Sequence, residues 1–527
     1  MLGDVVSGKN IKQTLKERGM EGIKRTVADV IGQSQPEHHT VDVTPAPKRG
    51  KPSTVTKKKK KNTKKRKKRA VSVAPTIKTK DIFDLITMAF VSDQSCECAK
   101  SELDIFAVPP TQTSVLQAEY IEYQPLTSIA GDAPIEFSII GTGENYIDLA
   151  NVLLYVCAKI VRNNDANLQA DSTVGPVNLM LHSMFSQVDV SLNDTLISSS
   201  TNTYPYRATL ETLFSYGEDA KKSQLTSEMF YKDDAGRMNE VVRAPADGHV
   251  PNVGLCQRRA LVAGSREFDM MGHLHSDMFM QDRYLLNEVG VKIKLTRSRD
   301  NFCLMGAADG KLVVTHASLF VRKVKLSPSV FLAHAKALES NTAKYPIKRV
   351  VCKSFAIPAQ YLDSNHEKLF SGQLPTRIVI GIVDNRAFNG SREFNPFNFH
   401  HYNLSEISVY LDGHQQYALK PLQPDYTGGL YVRTYNSLFA GTNKLNRDEG
   451  NFITREDYPN GNCLYAFHLT ADLAEDDYFN LVKLGSIRLS MKFSQALPHT
   501  VSVVAYAEFD NIVEIDRDRN LLVDFGV

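Results

Sequence analysis

A similar pattern occurs twice in the chain, as FSQVDVSLND at residues 185–194 and as LSEISVYLDG at residues 404–413. In both copies apolar side chains alternate with polar ones, which is typical of a strand with one buried face. The copies are 219 residues apart, and a later pair of similar segments around Val313 and Val503 is 190 residues apart. Two similar β domains of roughly 200 residues each, with loops of unequal length, would produce both spacings.

The rest of the chain after residue 100 shows the same pattern of short apolar or alternating runs. The clearest of these runs are Val115–Tyr123, Ile135–Ile140, Val152–Val161, Val289–Leu295, Ser318–Val324, Ile347–Ile357, Arg377–Val383, Leu464–Leu469, Ser486–Phe493 and Val501–Phe509. Gly, Asn, Asp and Pro separate them, as in a sandwich or barrel of short strands. Helical candidates are few, namely Asn178–Met184, Tyr206–Ser215, Pro328–Leu338 and Asp472–Leu484. The sequence therefore predicts an all-β protein.

The charge of the chain is divided unequally along its length. Residues 1–80 contain 22 Lys and Arg against 6 Asp and Glu, a net charge of +16, whereas residues 81–527 have a net charge of −13. This division indicates a basic arm attached to a separate globular body. Residues 35–80 are rich in Pro, Thr and Lys and are predicted to be disordered. Apolar residues at near-helical spacing could form a short helix at 11–31.

The arm contains a dense basic run of eleven charged residues in thirteen. They are Lys57, Lys58, Lys59, Lys60, Lys61, Lys64, Lys65, Arg66, Lys67, Lys68 and Arg69. Such a run can bind DNA without sequence preference by releasing counterions, and it can also act as a nuclear import signal. No aromatic residue lies between Lys48 and Lys80, which argues against stacking on unpaired bases. The alternative is a solvated tail with no specific partner.

The segment Gly272-His273-Leu274-His275 is the best candidate for a metal site. Two histidines at positions i and i+2 of a strand face the same way and could share a metal, as in metal-binding jelly rolls of the cupin type. A cupin-like site also needs a carboxylate a few residues later, but positions 278–281 are Met, Phe, Met and Gln. The adjacent pair His400-His401 would point apart in a strand. We therefore expect no metal ion and no cofactor.

No motif in the sequence supports catalysis, because it contains no Gly-rich phosphate loop, nucleophile elbow or His-Glu-x-x-His segment. We therefore expect the protein not to be an enzyme. No run of 18 apolar residues occurs, so no membrane span is predicted. The seven cysteines are odd in number and lie mostly in apolar segments, which favours reduced thiols in a cytosolic or nuclear setting.

A series of short blocks, spread from about residue 100 to the end of the chain, occurs in one order. The blocks are LDIFAVPPTQT (103–113), PIEF (134–137), YIDL (146–149), GPVN (175–178), YPYRATLE (204–211), GQLP (372–375), NPFNF (395–399) and LGSIRL (484–489). In this set the chain resembles the major capsid proteins of Polinton (Maverick) elements and of the related adintoviruses. The resemblance implies two tandem eight-stranded jelly rolls, a double jelly roll. It also implies homotrimeric, pseudo-hexagonal capsomers in the icosahedral capsid of a double-stranded DNA virus or virus-like mobile element.

The predicted organisation follows from the repeat, the charge division and the resemblance. The arm occupies residues 1–80, the first jelly roll 100–325, a connector 326–344 and the second jelly roll 345–527. Two long, polar, strand-poor insertions, Tyr216–Arg259 and Asp412–Tyr458, are expected to form the exposed top of the capsomer.

The expected partners are other copies of the chain, penton and minor capsid proteins, genomic DNA through the arm, and the nuclear import machinery. The expected locations are the virion and, during assembly, the host nucleus. Two alternatives stay open at this point. The first is a nuclear β-sandwich that binds carbohydrate or protein and has a basic retention tail. The second is a metal-dependent jelly-roll enzyme, which a metal-loaded monomer in solution would reveal.

Overall fold

The computed structural model describes residues 98, 100–106, 108–198, 201–241, 252–306, 309–411, 414–415, 421–470 and 478–523. The basic run Lys57–Arg69 and the predicted helix at 11–31 lie outside these residues. The described residues before Gln112 include one 3-10 turn, Ser101–Leu103. The chain from Gln112 to Val527 forms one compact unit.

Ten strands form in the first half of this unit. They are β1 (Val115–Tyr123), β2 (Ile135–Ile139), β3 (Asn145–Val161), β4 (Gly175–Pro176), β5 (Phe185–Leu192), β6 (Thr195–Leu196), β7 (Phe268–His273), β8 (Val291–Arg297), β9 (Leu304–Met305) and β10 (Lys311–Leu326). Eight of them form two antiparallel four-stranded sheets, β1-β10-β3-β7 and β2-β8-β5-β6. The short strands β4 and β9 pair with each other.

The second half contains eleven strands in the described residues. They are β11 (Ala343–Ile357), β12 (Asp363–Gln373), β13 (Arg377–Asp384), β14 (Phe399–His400), β15 (Leu404–Leu411), β16 (His414–Gln415), β17 (Asn460–Gly461), β18 (Leu464–His468), β19 (Leu484–Phe493), β20 (Val501–Ile515) and β21 (Leu521–Val523). The main sheets are β11-β20-β13-β18, with β21 paired to β20, and β12-β19-β15-β16. The short strands β14 and β17 pair separately.

The two halves have the same strand order. When the eight sandwich strands of each half are counted along the chain, both halves have one sheet of order 1-8-3-6 and one of order 2-7-4-5. This is the arrangement of an eight-stranded jelly roll. The predicted fold class, two tandem jelly rolls, is therefore confirmed. The repeated pattern of the sequence forms β5 and β15, the fourth strand of each roll, with Val188, Val190 and Leu192 buried in the first copy.

Eight α-helices in the described part of the chain lie mainly between strands. They are α1 (Met180–Ser183), α2 (Tyr204–Ser215), α3 (Glu218–Lys222), α4 (Val253–Val262), α5 (Asp300–Cys303), α6 (Pro328–Ala337), α7 (Asn385–Asn389) and α8 (Val432–Gly441). Further 3-10 turns are Gln224–Glu228, Ala263–Ser265 and Asp277–Met280. None of the helices in these described segments has the length and apolar character required to cross a bilayer.

Three of the four predicted helices are present, as α1, α2 and α6. The prediction of a helix at Asp472–Leu484 is wrong in its described part, because Tyr478–Lys483 is not helical and Leu484 begins β19. The apolar residues that suggested a helical face, including Leu481 and Leu484, are exposed and pack on no core. A short helix without such packing is not stable.

Helix α6 lies between the last strand of the first roll and the first strand of the second.

Each roll has its own core, but some side chains of one roll are buried in the core of the other. Tyr206 and Leu210 of α2 lie in the core of the second roll, and Tyr345 and Ile347 of β11 lie in the core of the first. Because residues 112–527 form one compact unit, the domain boundaries given above stay predictions.

Candidate functional site

The longest insertion of each jelly roll occurs at the same place, between the fifth and sixth strands. In the first roll it connects β6 to β7 and contains α2, α3 and α4. In the second roll it connects β16 to β18 and contains α8 and β17. These insertions include most of the two strand-poor segments that the sequence singled out. Their exposure at the top of a capsomer stays a prediction.

The two insertions are joined to each other by buried and half-buried polar contacts. The Lys221 ammonium donates to the carbonyl oxygen of Asn451 at 2.7 Å. The Lys232 ammonium lies 2.6 Å from Oδ2 of Asp457, and the backbone N–H of Gly236 donates to the carbonyl of Asn460 at 2.7 Å. Burial, with smaller contributions from neighbouring lysines, lowers the pKa of Lys221 to about 7. The insertions therefore form one cap across both rolls, defined here as residues 201–241 and 421–462.

Asp233 of the cap is the centre of a buried polar network that extends to residues outside the cap. Its Oδ1 accepts from Nη2 of Arg258 at 2.6 Å and from Nδ2 of Asn252 at 2.8 Å. Its Oδ2 accepts from Nδ2 of Asn395, a residue of the second roll, at 2.9 Å. The same guanidinium donates to the carbonyls of Pro176 and Tyr231, and the Arg258 side chain is fully buried.

The histidines of the Gly272–His275 segment have different surroundings. The His273 side chain is partly exposed, whereas His275 is fully buried against His182 of α1. The carboxylate that the sequence lacked at 278–281 is supplied by Glu228, from the 3-10 turn Gln224–Glu228. His182 and Glu228 were missed because they are distant in sequence, and only the folding of the insertion brings them together.

The pKa values in this cluster follow from its burial. Burial, followed by the nearby His182 and His273 imidazoles, lowers the pKa of His275 well below its usual value. Burial opposes ionisation of Glu228, but His182 and the two other histidines outweigh it and lower the pKa of that carboxyl group. The cluster therefore favours neutral His275 beside ionised Glu228.

Exposed apolar side chains mark two surfaces outside the cap. Strand β1 is the edge of its sheet, and its Leu116 and Tyr120 side chains are 59% and 52% exposed. A groove beside β20 is lined by Phe479, Leu484 and Leu522, all of them exposed by 46% or more. Apolar surface of this kind is typical of contacts between protein chains.

The comparisons with known proteins extend over most of the chain. No family model matches it. It is 25% identical over 437 residues to Uncharacterized protein F54H12.2 of Caenorhabditis elegans, covering 79% of this chain and 99% of that protein. A chain in the structure of the Sputnik virophage has a TM-score of 0.57 and 9% identity, covering 84% of this chain and 95% of that one. The mavirus major capsid protein has a TM-score of 0.44 and 12% identity, covering 79% and 97%. The similarity to the virophage chain is a similarity of fold.

Proposed function

We propose that this protein is the major capsid protein of a double-stranded DNA virus or virus-like element of the Polinton or adintovirus type. The observation that carries the proposal is the pair of jelly rolls with identical strand order, held in one compact unit by a shared cap. The fold is shared with a chain from a virophage particle. A similar nematode protein supports a source among elements carried in animal genomes.

The architecture suits a shell subunit for a geometric reason. Three copies around a three-fold axis would place six similar jelly rolls in a ring, and a ring with a pseudo-hexagonal outline can tile a closed shell. A three-fold ring requires two different, complementary surfaces on each copy. The exposed edge strand β1 and the apolar groove at Phe479, Leu484 and Leu522 are two such surfaces. Capsomers would then contact each other, with penton and minor capsid proteins completing the shell.

The basic arm would contact the genome inside this shell. A body with a net charge of −13 repels DNA, so a segment with a net charge of +16 is needed to reach it. The run Lys57–Arg69 supports this role, and it would also direct the new protein into the host nucleus before assembly. The protein would therefore occur in the nucleus and then in the virion.

The test is the mass of the purified full-length chain and its appearance by electron microscopy. We expect a stable species of about three times the 58.8 kDa chain mass, and particles or hexagonal capsomers on grids. A monomer that forms no larger species would overturn the proposal.

A variant pair then locates the contact surface. The double substitution Leu116→Asp and Tyr120→Asp places charges on the exposed face of β1, and it should reduce the trimer to monomer. Leu332→Asp is the matched control, because Leu332 is 66% exposed but belongs to α6 and not to the edge strand. Equal loss of trimer in both variants would contradict a role for β1.

A further inference from the structure

Three buried polar atoms meet in the interior of the first jelly roll. They are Nε2 of His182, Nε2 of His275 and Oε2 of Glu228, from residues that are each at most 4% exposed. The ligand atoms of these three residues all lie within 4.8 Å of one another. Within the described residues Nε2 of His275 has no hydrogen-bond partner, and Nε2 of His182 and Oε2 of Glu228 face only each other, 3.3 Å apart. A buried polar atom that lacks a well-formed hydrogen bond is costly, so three such atoms that converge indicate a group held between them.

The other ring nitrogen, Nδ1, of His182 and of His275 already has a polar partner. Nδ1 of His275 lies 2.6 Å from Oε2 of Glu211, a carboxylate that can only accept, so Nδ1 carries the proton. The lone pair of Nε2 is then directed into the cluster. Nδ1 of His182 lies 2.9 Å from the Tyr204 hydroxyl. A carboxylate or hydroxyl behind the imidazole is the usual way in which proteins orient a histidine that binds a metal.

The charges of the surroundings favour a cation over a water molecule. Arg207 contacts Glu211 at 2.8 Å and Asp277 at 2.6 Å. In the described residues the ion-pair partners of Glu228 are the histidines His182 and His273. One guanidinium thus contacts two carboxylates, and the third carboxylate, that of Glu228, has histidine side chains as its neighbours. A divalent ion would supply positive charge to this buried carboxylate, whereas a water molecule would not.

The distances suit a small transition-metal ion. Nε2 of His182 is 3.3 Å from Oε2 of Glu228, which matches the spacing of about 3.3 Å between two ligands bound at 2.0–2.1 Å in a tetrahedral zinc site. Nδ1 of His273 lies 3.9 Å from Oε1 of Glu228 and can complete the tetrahedron. Imidazole nitrogens with one carboxylate are ligands that zinc prefers.

Gly272 makes room for the carboxylate. A Cβ at this position would lie 2.6 Å from both Cγ and Cδ of Glu228, closer than any normal contact. The absence of a side chain therefore allows Glu228 to reach the histidines. The Gly272–His275 segment thus makes three contributions. Gly272 leaves space for Glu228, His275 is itself a ligand, and His273 offers an additional imidazole.

We propose that the first jelly roll binds one divalent transition-metal ion of the zinc class through His182, Glu228 and His275. The ligands come from α1, from the cap insertion and from the segment after β7. Their burial makes the site closed, as structural zinc sites are, so the ion joins the insertion to the sandwich and does not act on a substrate. The inference is independent of the proposed shell function, since it rests on the interior of one chain.

The test uses the purified full-length protein. After removal of metal with a chelator, added Zn²⁺ should bind at one ion per chain and raise the midpoint of thermal unfolding by several degrees. Co²⁺ in place of Zn²⁺ should give the visible absorption bands of a four-coordinate site. A water-filled cluster predicts neither result, so the absence of stoichiometric binding and of a Zn²⁺-dependent shift in the wild-type protein would overturn the proposal.

Variants then test the ligand set. Glu228→Gln and His182→Gln keep the size of the side chains and should each abolish the Zn²⁺-dependent shift and the Co²⁺ bands. Gly272→Ala retains every ligand but displaces Glu228, and it should weaken binding at least tenfold. His316→Gln, a half-exposed histidine of β10, is the matched control and should behave like the wild type. Metal binding that survives both Glu228→Gln and His182→Gln would place the ion elsewhere and refute the assignment.

Discussion

Asp233→Ala tests whether the buried network of the cap stabilises the whole unit. The substitution removes the carboxylate that Arg258 contacts at 2.6 Å. The Arg258 side chain is 0% exposed, and its guanidinium then keeps hydrogen bonds to two backbone carbonyls but loses the negative charge that it contacts. Removing one partner of a buried ion pair costs about 3–5 kcal/mol. Asn252 and Asn395 also lose their acceptor, so we expect a loss at the upper end of that range.

The assay is urea unfolding of the full-length protein, with the shift in midpoint converted to free energy by the slope of the wild-type curve. Asp194→Asn is the control. It removes the negative charge from an ion pair with Lys292 whose side chains are 78% and 60% exposed. Asn also tolerates the left-handed backbone of this residue, so about 0–1 kcal/mol is expected. Asp233→Ala combined with Arg258→Met removes both buried charges and should recover part of the loss.

The reasoning would be refuted if Asp233→Ala destabilised the protein no more than Asp194→Asn. It would also be refuted if the double variant were less stable than Asp233→Ala alone, because the cost would then not come from an unpaired charge.

Three further predictions concern pH, packing and the arm. Since the pKa of Lys221 is lowered from 10.5 to about 7, the unfolded chain binds more protons between these values. Stability should therefore rise with pH across that window, by up to about 1.4 kcal/mol per pH unit. Lys221→Met should lack this rise in urea titrations, and parallel pH profiles would contradict it. Gly254→Ala should cost about 1–3 kcal/mol in urea unfolding, because its Cβ would lie 2.9 Å from the carbonyl oxygen of Tyr231. Gly450→Ala, with no neighbour closer than 4.0 Å, should be neutral, and equal losses would exclude the clash. Deletion of residues 1–80 should leave the trimer intact and the thermal midpoint unchanged while DNA binding at low salt falls; unfolding of the truncated chain would instead make the arm structural.

The fold was predictable from the sequence because strand periodicity is a local signal. Val188, Val190 and Leu192 alternate with polar residues in the first copy of the repeat, and they are buried in the fourth strand of the first roll. The second copy forms the fourth strand of the second roll. The failure at Asp472–Leu484 has the same origin, because a helical spacing of apolar residues does not reveal whether any partner surface exists for them to pack against.

The interior sites were not predictable because their members meet only after folding. Glu228 precedes His275 by 47 residues, so a search for a carboxylate a few residues after the histidines could not find it. The signal that could have pointed to it is Gly272, since a glycine within a strand often marks a close approach by another part of the chain. The contact between Lys221 and Asn451 joins two insertions 230 residues apart and has no local signature at all.

Helix α2 explains why the two rolls behave as one unit although their strand orders are separate. Its Tyr206 and Leu210 are buried in the core of the second roll. On another face of the same helix, Arg207 contacts Glu211, and Glu211 contacts His275 in the polar cluster of the first roll. Asp277 extends this link, because its Oδ1 accepts from the backbone N–H of Val350 in β11 as well as from Arg207. Separating the rolls would therefore expose aromatic side chains on one side and leave buried charges unpaired on the other. Both penalties oppose independent opening of either roll, and a rigid pair of rolls is what the proposed shell function requires.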